Sequence, residues 1–312
     1  MPHVPVLLNE AVAAFSPWQG QVYVDVTLGA GGHAKALAEK LQSHQTLLGL
    51  DRDANALAVA EERLEGVQPQ FIAEQLPFSK LKHAVFSHGI RQVDGGILAD
   101  LGMSNIQLND PQRGFSFQTK TDLDMRDLDM RMDARQSLTA ADVVNTWEES
   151  ELIRIMKDYA DERLARPLAR EILAQRPLKS VKELATLAQT VYHSHGNHPK
   201  NIHPATRLFQ AVRMAVNSEV EEIENFLASL EELTAPGAII AMITFHSIED
   251  RLVKQFFKRA SVTCLCPPQL PICQCGHVAT FEIIGKPVTP SEEEITRNPQ
   301  SRSAKLRIAK RI

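Results

Sequence analysis

A glycine-rich turn with an acidic residue downstream is the part of the sequence best suited to chemistry. The segment Gly29-x-Gly31-x-x-Ala34 fits the dinucleotide fingerprint, and Asp51 follows about 20 residues later. The glycines let the backbone approach a ligand closely, and the N–H groups that start the next helix provide donors for an anion. Asp51 is placed to accept hydrogen bonds from ribose hydroxyls. The segment therefore predicts a binding site for a nucleoside-containing cofactor.

Two further carboxylates indicate which cofactor this is. Asp25 stands just ahead of the turn, and Asp100 ends a later apolar run. Carboxylates at these places suit the cationic amine and sulfonium of S-adenosylmethionine better than they suit a pyrophosphate. The pattern therefore favours the methyl donor over a nicotinamide cofactor, and a purely structural turn is the third interpretation.

Asp100 also stands where an acceptor would bind. It begins the segment Asp100-Leu101-Gly102-Met103-Ser104, at the carboxyl end of a predicted strand, and open α/β sheets bind ligands there. Methyl transfer to an amine needs the acceptor lone pair in line with the sulfonium methyl, and a hydrogen-bond acceptor can orient the N–H bonds. Asp100 can fill that role, and the alternative is a loop aspartate that caps a helix.

All four cysteines lie in one short segment, at Cys264, Cys266, Cys273 and Cys275. Four thiolates can hold zinc. The Cys-x-Cys spacing is tighter than the usual gap of two to four residues, so reduced thiols without a metal remain the preferred interpretation over a structural zinc site.

The segment from residue 297 to 312 has six Lys or Arg and no acidic residue. Such a segment can contact phosphates, although a solvated basic terminus and a strand through Leu306 and Ile308 are alternatives. Further basic residues that we expect beside the cleft are Arg113, Arg126, Arg131, Arg207 and Arg213.

Alternating strands and helices must position these residues. Apolar runs predict strands, and runs with apolar residues at helical spacing predict helices between them. Strands that alternate with helices indicate a mostly parallel sheet covered on both faces. The predicted strands are 21–25, 46–50, 95–99 and 238–245, and the helices that follow them include 33–41, 54–64 and 248–259.

The alternation stops in the middle of the chain, where capping signals predict helices that begin at Thr139, Thr146 and Ser180. We therefore predict a helical insertion domain at 109–203, between two parts of one sheet domain at 1–108 and 204–312. A single helix over 206–233 would return the chain to the sheet. Strands at 281–284 and 305–309 would form an antiparallel edge pair.

Composition excludes several classes of protein. The chain has 312 residues, of which 44% are hydrophobic and 23% charged, typical of a globular protein. Its formal net charge of −4 means that nucleic acid would have to bind a local basic patch. Four clustered cysteines are no disulfide framework, and no apolar run predicts a membrane span or a secretory signal. We expect a cytoplasmic protein.

Nine blocks of sequence, spread over nearly the whole chain, together form a recognisable pattern. They are 24–33, 51–53, 77–79, 100–104, 112–117, 128–133, 203–207, 245–251 and 302–307. They resemble one family, the bacterial 16S ribosomal RNA cytosine-N4 methyltransferases known as RsmH or MraW. The resemblance implies an α/β fold, with a Rossmann-like class I S-adenosylmethionine-dependent methyltransferase sheet and an inserted all-helical domain for RNA recognition. It also implies a substrate cytidine in the decoding centre, at position 1402.

The resemblance also implies which residues contact S-adenosylmethionine: Gly31, Gly32, His33, Asp51, Phe78, Asp100 and Gln107. The sequence departs from the family in a tandem repeat, because 122–126 and 127–131 are identical and only the second copy continues into the family's Met-Asp ending. The Asp-Leu-Gly-Met-Ser segment also lacks the aromatic residue that DNA amino-methyltransferases often place there, so an aromatic clamp on the base would come from elsewhere, with Phe115 and Phe117 as candidates, or be absent.

Our leading hypothesis is that the cytidine turns out of its stack and that Asp100 and Ser104 fix its Watson–Crick edge. His246 is a further candidate for contacting the base, and a structural histidine is the alternative. Arg113, Arg131, Arg207 and Arg302 would contact RNA, and the partner would be 16S ribosomal RNA or the small ribosomal subunit. A homodimer is a further hypothesis. The rival functions are DNA or protein methylation, nicotinamide-dependent oxidoreduction and non-catalytic RNA binding in ribosome assembly.

Overall fold

The computed structural model describes residues 5–110, 112–117, 127–196, 203–267, 270 and 272–312. The chain forms two compact units. The first combines Met1–Gly102 with Glu222–Ile312, and the second is Met103–Glu221. The sequence placed the two divisions at 108/109 and 203/204, so the helical unit takes in more of the chain on both sides. Within the described residues, no helix has the length and apolar character needed to cross a membrane.

The first unit is built on a seven-stranded sheet in the order β3-β2-β1-β4-β5-β7-β6. Strands β1 to β5 pair in parallel, and β7 pairs antiparallel with both β5 and β6. This arrangement confirms the predicted Rossmann-like α/β fold and the antiparallel pair at the edge. The strands are β1 (Val22–Asp25), β2 (Thr46–Asp51), β3 (Gln70–Gln75), β4 (Gly96–Asp100), β5 (Ile239–Thr244), β6 (Phe281–Val288) and β7 (Lys305–Arg311).

Helices cover the sheet and form most of the second unit. Short 3₁₀ turns lie at Phe78–Lys80 and Pro299–Ser303. The α-helices are α1 (Leu8–Ala13), α2 (Gly32–Ala38), α3 (Ala54–Arg63), α4 (Leu81–Ser87), α5 (Asn105–Asn109), α6 (Ala140–Thr146), α7 (Glu149–Ala160), α8 (Ala165–Gln175), α9 (Val181–Ser194), α10 (Thr206–Val216), α11 (Glu219–Leu233), α12 (Ser247–Ala260) and α13 (Glu292–Arg297).

Apolar side chains on both faces of the sheet form two separate layers of core. Tyr23 and Leu47 belong to one layer, whereas their chain neighbours Val24 and Leu48 belong to the other. Successive side chains of a strand point to opposite faces, so a strand that is buried on both sides is apolar throughout. All six residues of β5 are buried in this way. The central strands therefore hold their carboxyl ends in fixed positions.

Sequence patterns missed some elements and misplaced others. Strand β3 at Gln70–Gln75 was not predicted, because only three of its six residues are apolar, they stand together without alternation, and it lies at the edge of the sheet. The single helix expected over 206–233 is wrong: α10 ends at Val216, and Ser218 has a left-handed φ of 49° before α11 begins. Thr139 and Ser180 cap α6 and α9 as predicted, but Thr146 is the last residue of α6, and Glu148 caps α7.

A buried polar residue closes the gap between α10 and α11. Asn217 accepts a hydrogen bond from the Met132 amide at 2.7 Å and donates to the Met130 carbonyl at 2.7 Å and to the Arg213 carbonyl at 2.9 Å. Its side chain therefore provides a hydrogen-bond donor to a carbonyl in the last turn of α10 and also holds the loop at Met130 and Met132. The second copy of the tandem repeat ends in that loop, whereas the first copy, 122–126, lies outside the described residues.

Candidate functional site

The glycine-rich turn between β1 and α2 is held by Asp51 at the end of β2. Its Oδ2 accepts a hydrogen bond from the Gly29 amide at 2.8 Å, and its Oδ1 accepts one from the Asp53 amide at 2.9 Å. Gly29 and Gly31 have left-handed φ values of 51° and 74°, which glycine adopts without strain. One carboxylate thus fixes two adjacent turns. Each of its oxygens keeps a second lone pair for a ligand hydroxyl.

Three carboxyl groups end adjacent parallel strands and form what we term the carboxylate cluster: Asp25 on β1, Asp51 on β2 and Asp100 on β4. Burial raises the pKa of Asp25 to about 7, against the hydrogen bond from the Thr27 amide and with the help of the Asp51 charge. Burial also raises the pKa of Asp51. Burial therefore disfavours the charged form of these carboxyl groups, and a bound cation would stabilise that form.

Asp100 combines burial with two neighbouring negative charges. Burial and the charges of Asp25 and Glu249 raise its pKa well above the usual range. Its Oδ2 lies 3.5 Å from Nδ1 of His33, while its Oδ1 is buried and has no hydrogen-bond partner among the described residues. A buried carboxylate oxygen without a partner is costly unless a ligand satisfies it. The structure thus leaves one acceptor of Asp100 for a cationic or N–H-bearing ligand.

His33 reaches Asp100 from the first turn of α2. Its side chain is buried, and its Nε2 lies 3.0 Å from the Val6 carbonyl oxygen. A carbonyl can only accept, so Nε2 carries the proton and the other ring nitrogen, Nδ1, faces Asp100. On this geometry, His33 orients a carboxyl group of the cluster.

Gly31 and Gly32, predicted to contact the cofactor, have a packing role as well. A Cβ atom on Gly32 would lie 2.4 Å from Cγ of Pro5, and one on Gly31 would lie 3.2 Å from Cα and Cβ of Ala60. The first distance is an overlap and the second a tight contact. The turn therefore needs glycine at both positions before any ligand is considered.

Phe78, predicted to pack against adenine, lies at the margin of the core. Its ring makes an edge contact with Phe226, with centroids 5.7 Å apart, and the Arg52 guanidinium lies 6.0 Å from its centroid. The ring is partly buried against the apolar layer. Packing against the core therefore accounts for part of the surface of the Phe78 ring.

His246 forms a capping box with Glu249 at the start of α12. The Glu249 amide donates to Nδ1 of His246 at 3.4 Å, and Nε2 of His246 lies 3.0 Å from the Glu249 carboxylate. Both ring nitrogens are thus engaged, which agrees with the structural alternative for this histidine. Sequence analysis missed Glu249, whose buried carboxylate also accepts from the Phe245 amide at 2.7 Å. Its signal was the His-x-x-Glu spacing ahead of an amphipathic helix.

Thr27 is another residue that sequence analysis missed. Its hydroxyl accepts a hydrogen bond from the Asp100 amide at 2.6 Å, and its own amide donates to Asp25 at 3.1 Å. It therefore ties the ends of β1 and β4 together.

Ser104 and Gln107 belong to the second unit, where they cap α5. The Gln107 amide donates to the Ser104 hydroxyl at 3.3 Å, and the Ser104 amide donates to Oε1 of Gln107 at 3.2 Å. In the same unit Phe115 is buried, and Phe117 packs against Phe209 with ring centroids 4.7 Å apart. These contacts give each predicted residue a structural role.

Arg113 and Arg131, predicted to bind RNA, are tied to the chain around them. The Arg113 guanidinium donates to the carbonyls of Arg131 at 2.7 Å and Met132 at 2.8 Å. Arg131 forms an ion pair with Asp129 at 2.7 Å and donates to the Gln136 carbonyl at 2.8 Å. Their first role in the structure is to shape the loop that Asn217 holds.

The other predicted RNA contacts differ in exposure. Arg207 is half-buried and donates to the Asp161 carbonyl at 3.1 Å, whereas Arg302 is exposed in the first unit. Near Arg302, Lys305 and Arg307 pair with Asp250 at 3.2 and 2.7 Å. The basic segment is therefore divided between cations that hold the edge of the sheet and exposed ones. Arg126 lies outside the described residues.

The four cysteines meet in the loop between α12 and β6. Their Sγ atoms all lie within 4.8 Å of one another, and each thiol is free. The structure thus brings together the four thiols that the sequence interpreted as reduced thiols, with a structural zinc site as the alternative.

Comparison with known proteins gives a consistent result. The family model described as the MraW methylase family matches residues 1–312. A protein named Ribosomal RNA small subunit methyltransferase H from Dehalococcoides mccartyi is 42% identical over 312 residues, covering 100% of this chain and 87% of the relative. Proteins of the same name from Thermomicrobium roseum and Carboxydothermus hydrogenoformans are 44% and 43% identical, covering 99% of this chain and 94% and 98% of the relatives.

Proposed function

Because the chain belongs to the MraW methylase family, we propose that it transfers a methyl group from S-adenosylmethionine to 16S ribosomal RNA, at the N4 amine of a decoding-centre cytidine. The enzymatic class follows from the family and from relatives named as small-subunit ribosomal RNA methyltransferases. The observation that carries the proposal is the carboxylate cluster at the carboxyl ends of β1, β2 and β4.

The residues of the cluster fit S-adenosylmethionine. When bound, the donor supplies an electrophilic methyl group on a positively charged sulfur. Asp51 already holds the glycine turn and keeps lone pairs for the ribose hydroxyls. Asp25 and Asp100 offer negative charge to the amine and the sulfonium of S-adenosylmethionine. The Oδ1 atom of Asp100, which has no partner among the described residues, can accept a hydrogen bond from a ligand.

In this proposal Asp100 orients the cytidine amine by accepting a hydrogen bond from one of its N–H groups. The amine proton becomes acidic only as the N–C bond forms, so Asp100 needs to accept it late rather than remove it beforehand. His33 fixes the position of the carboxyl group through the 3.5 Å contact with Oδ2. Thr27 fixes the Asp100 backbone in the same way.

The test is transfer of tritiated methyl from S-adenosylmethionine to small ribosomal subunits that lack the modification, with mass spectrometry of nuclease fragments to locate the label. We expect label on N4 of one cytidine, and at least about a hundredfold less with Asp100→Ala. Asp94→Ala is the matched control, because Asp94 accepts from the Gln21 and Val22 amides at the start of β1, whereas the cluster lies at the carboxyl ends of the strands. Label on another atom would overturn the assignment of the acceptor.

Running free 16S RNA, small subunits, DNA and protein in parallel identifies the partner. We propose the RNA within the small subunit as the substrate. A clear preference for DNA or protein would favour one of those rival substrates, and RNA binding without transfer would favour an assembly factor. A cytoplasmic location and a homodimer remain predictions, to be checked by fractionation and by light scattering.

A further inference from the structure

The loop between α12 and β6 holds four converging thiols, and none of the side chains that the structure describes in it is buried. Its large side chains are exposed, with Leu265 at 44%, Ile272 at 74% and Val278 at 70%. Three of its four cysteines are exposed as well, although free cysteine is among the most buried residue types in proteins. Hydrophobic packing therefore does not explain why the thiols meet. Small segments of this kind are usually fastened by a disulfide or a metal.

The distances between the sulfur atoms suit a metal better than a disulfide. The Sγ atom of Cys264 lies 3.4 Å from that of Cys273 and 3.8 Å from that of Cys275, and the last two atoms are 3.5 Å apart. A disulfide would bring two sulfurs to about 2.05 Å. Four sulfurs at about 2.3 Å from a tetrahedral zinc ion lie about 3.8 Å from one another. The three measured distances thus resemble one face of such a tetrahedron.

Backbone amides point at the sulfurs. The Leu265 amide donates to Cys275 at 3.3 Å, the Cys266 amide to Cys264 at 3.4 Å, and the Gln274 amide to Cys266 at 3.4 Å. Hydrogen bonds from N–H groups favour the thiolate over the thiol, and metal ligands are oriented by such outer contacts. The Leu265 and Gln274 amides, each from the middle of one Cys-x-Cys pair, donate to a cysteine of the other pair, so the two pairs are held together despite their tight spacing.

The ends of the loop are fixed to the first unit. The Thr280 amide donates to the Ala260 carbonyl at 2.8 Å, and the His277 ring lies 2.9 Å from the Arg259 carbonyl oxygen. The loop therefore projects as a closed excursion between α12 and β6. A metal at its tip would complete the closure.

We propose that Cys264, Cys266, Cys273 and Cys275 together bind one structural zinc ion. Each cysteine that binds releases its proton to solvent, and no electron is exchanged. An all-thiolate tetrahedral site suits zinc or iron, and the closed coordination, with four protein ligands, is typical of a structural zinc rather than a catalytic one. The inference goes beyond methyl transfer, because it requires neither the donor nor RNA.

The first test is the metal content of the full-length protein purified without chelator, measured by inductively coupled plasma mass spectrometry. We expect one zinc per chain. The double variant Cys264→Ser/Cys273→Ser should lose zinc by at least about tenfold. Leu265→Ser/Ile272→Ser, which introduces the same two serines into the same loop, should keep it.

A second measurement does not depend on whether the serine variant folds. Zinc is removed from the wild-type protein and replaced by Co²⁺, and we expect thiolate charge-transfer bands together with the intense visible bands of tetrahedral cobalt. Four thiols that react at once with a thiol reagent in the native protein, with no bound metal, would overturn the proposal. Stoichiometric iron in place of zinc would overturn it too.

Discussion

Nδ1 of the buried His33 lies 3.5 Å from Oδ2 of Asp100, and the opposite ring nitrogen is fixed by the Val6 carbonyl oxygen at 3.0 Å. The histidine therefore cannot rotate freely, and it holds in place a carboxyl group whose pKa is raised by burial and by neighbouring negative charges. Under the proposed function, this carboxyl group is kept in position and ionises when the cationic cofactor binds.

The first prediction concerns the pH dependence of donor binding. The pKa of Asp25 is raised to about 7 and that of Asp100 well above its usual range, so both groups keep protons that a cationic ligand would displace. The affinity for S-adenosylmethionine should therefore rise with pH between about pH 6 and 7.5, below the titration of its own amine. Calorimetry in buffers of different ionisation enthalpy should record proton release.

The same groups fix the sign of the effect on stability. A carboxyl group whose pKa is higher in the folded state makes the ligand-free protein less stable as pH rises from the unfolded value, about 3.9, through the folded one. The control for the affinity measurement is S-adenosylhomocysteine, which lacks the sulfonium charge. Its affinity should rise less steeply with pH than that of S-adenosylmethionine. Equal slopes for the two ligands would mean that the cluster does not respond to the sulfonium.

The second prediction separates ligand binding from turn stability at Asp51. Asp51→Ala removes two hydrogen bonds to backbone amides, and Asp94→Ala removes two of nearly the same length, 2.8 and 2.9 Å in each case. Both variants should lose stability in urea. The affinity for S-adenosylmethionine should fall by about 10- to 100-fold for Asp51→Ala alone, since hydrogen bonds to charged groups contribute about 1.5–3 kcal/mol. A similar loss of affinity in both would argue against a direct contact at Asp51.

The third prediction concerns the packing of the glycine turn. Gly31 and Gly66 have almost the same backbone conformation, with φ of 74° and 72°, but only Gly31 has close neighbours. Alanine at either position should cost about 1 kcal/mol or more for the left-handed backbone. Gly31→Ala should cost about 1–3 kcal/mol more, because its Cβ would lie 3.2 Å from Ala60. Urea denaturation measures both, and equal losses would contradict the packing argument.

The sequence was informative where a strand is buried on both faces and its carboxyl end bears chemistry. Asp25, Asp51 and Asp100 could be placed from apolar runs that stop at an acidic residue, because such runs rarely arise without a buried parallel strand. The family resemblance supplied the expected substrate and the expected contacts with S-adenosylmethionine, which no pattern in the sequence contains. The edge strand β3 was missed because its residues carry no period that distinguishes it from a loop.

Contacts across long stretches of sequence could not be predicted. Asn217 forms hydrogen bonds with Met130 and Met132, more than eighty residues away. The composition of the two segments does not predict this contact. Arginines were equally ambiguous, since the residue type does not tell whether its guanidinium meets a phosphate or a carbonyl of its own chain. The structure resolves this for Arg113, whose donors bond to two carbonyls of that loop.

That difference among arginines gives the last prediction. Arg302 is exposed, whereas Arg113 is bonded to the Arg131 and Met132 carbonyls. Arg302→Ala should weaken binding to small ribosomal subunits and reduce the slope of log affinity against log salt by about 1, as expected when one phosphate contact is lost. Arg113→Ala should instead lower the stability of the second unit and leave that slope unchanged under conditions where the variant is folded. Filter binding over a salt series, with circular dichroism to confirm folding, measures both. If the slope falls for Arg113→Ala and stays constant for Arg302→Ala, then the RNA lies along the loop in the second unit, and the basic segment of the first unit serves only to hold the edge of the sheet.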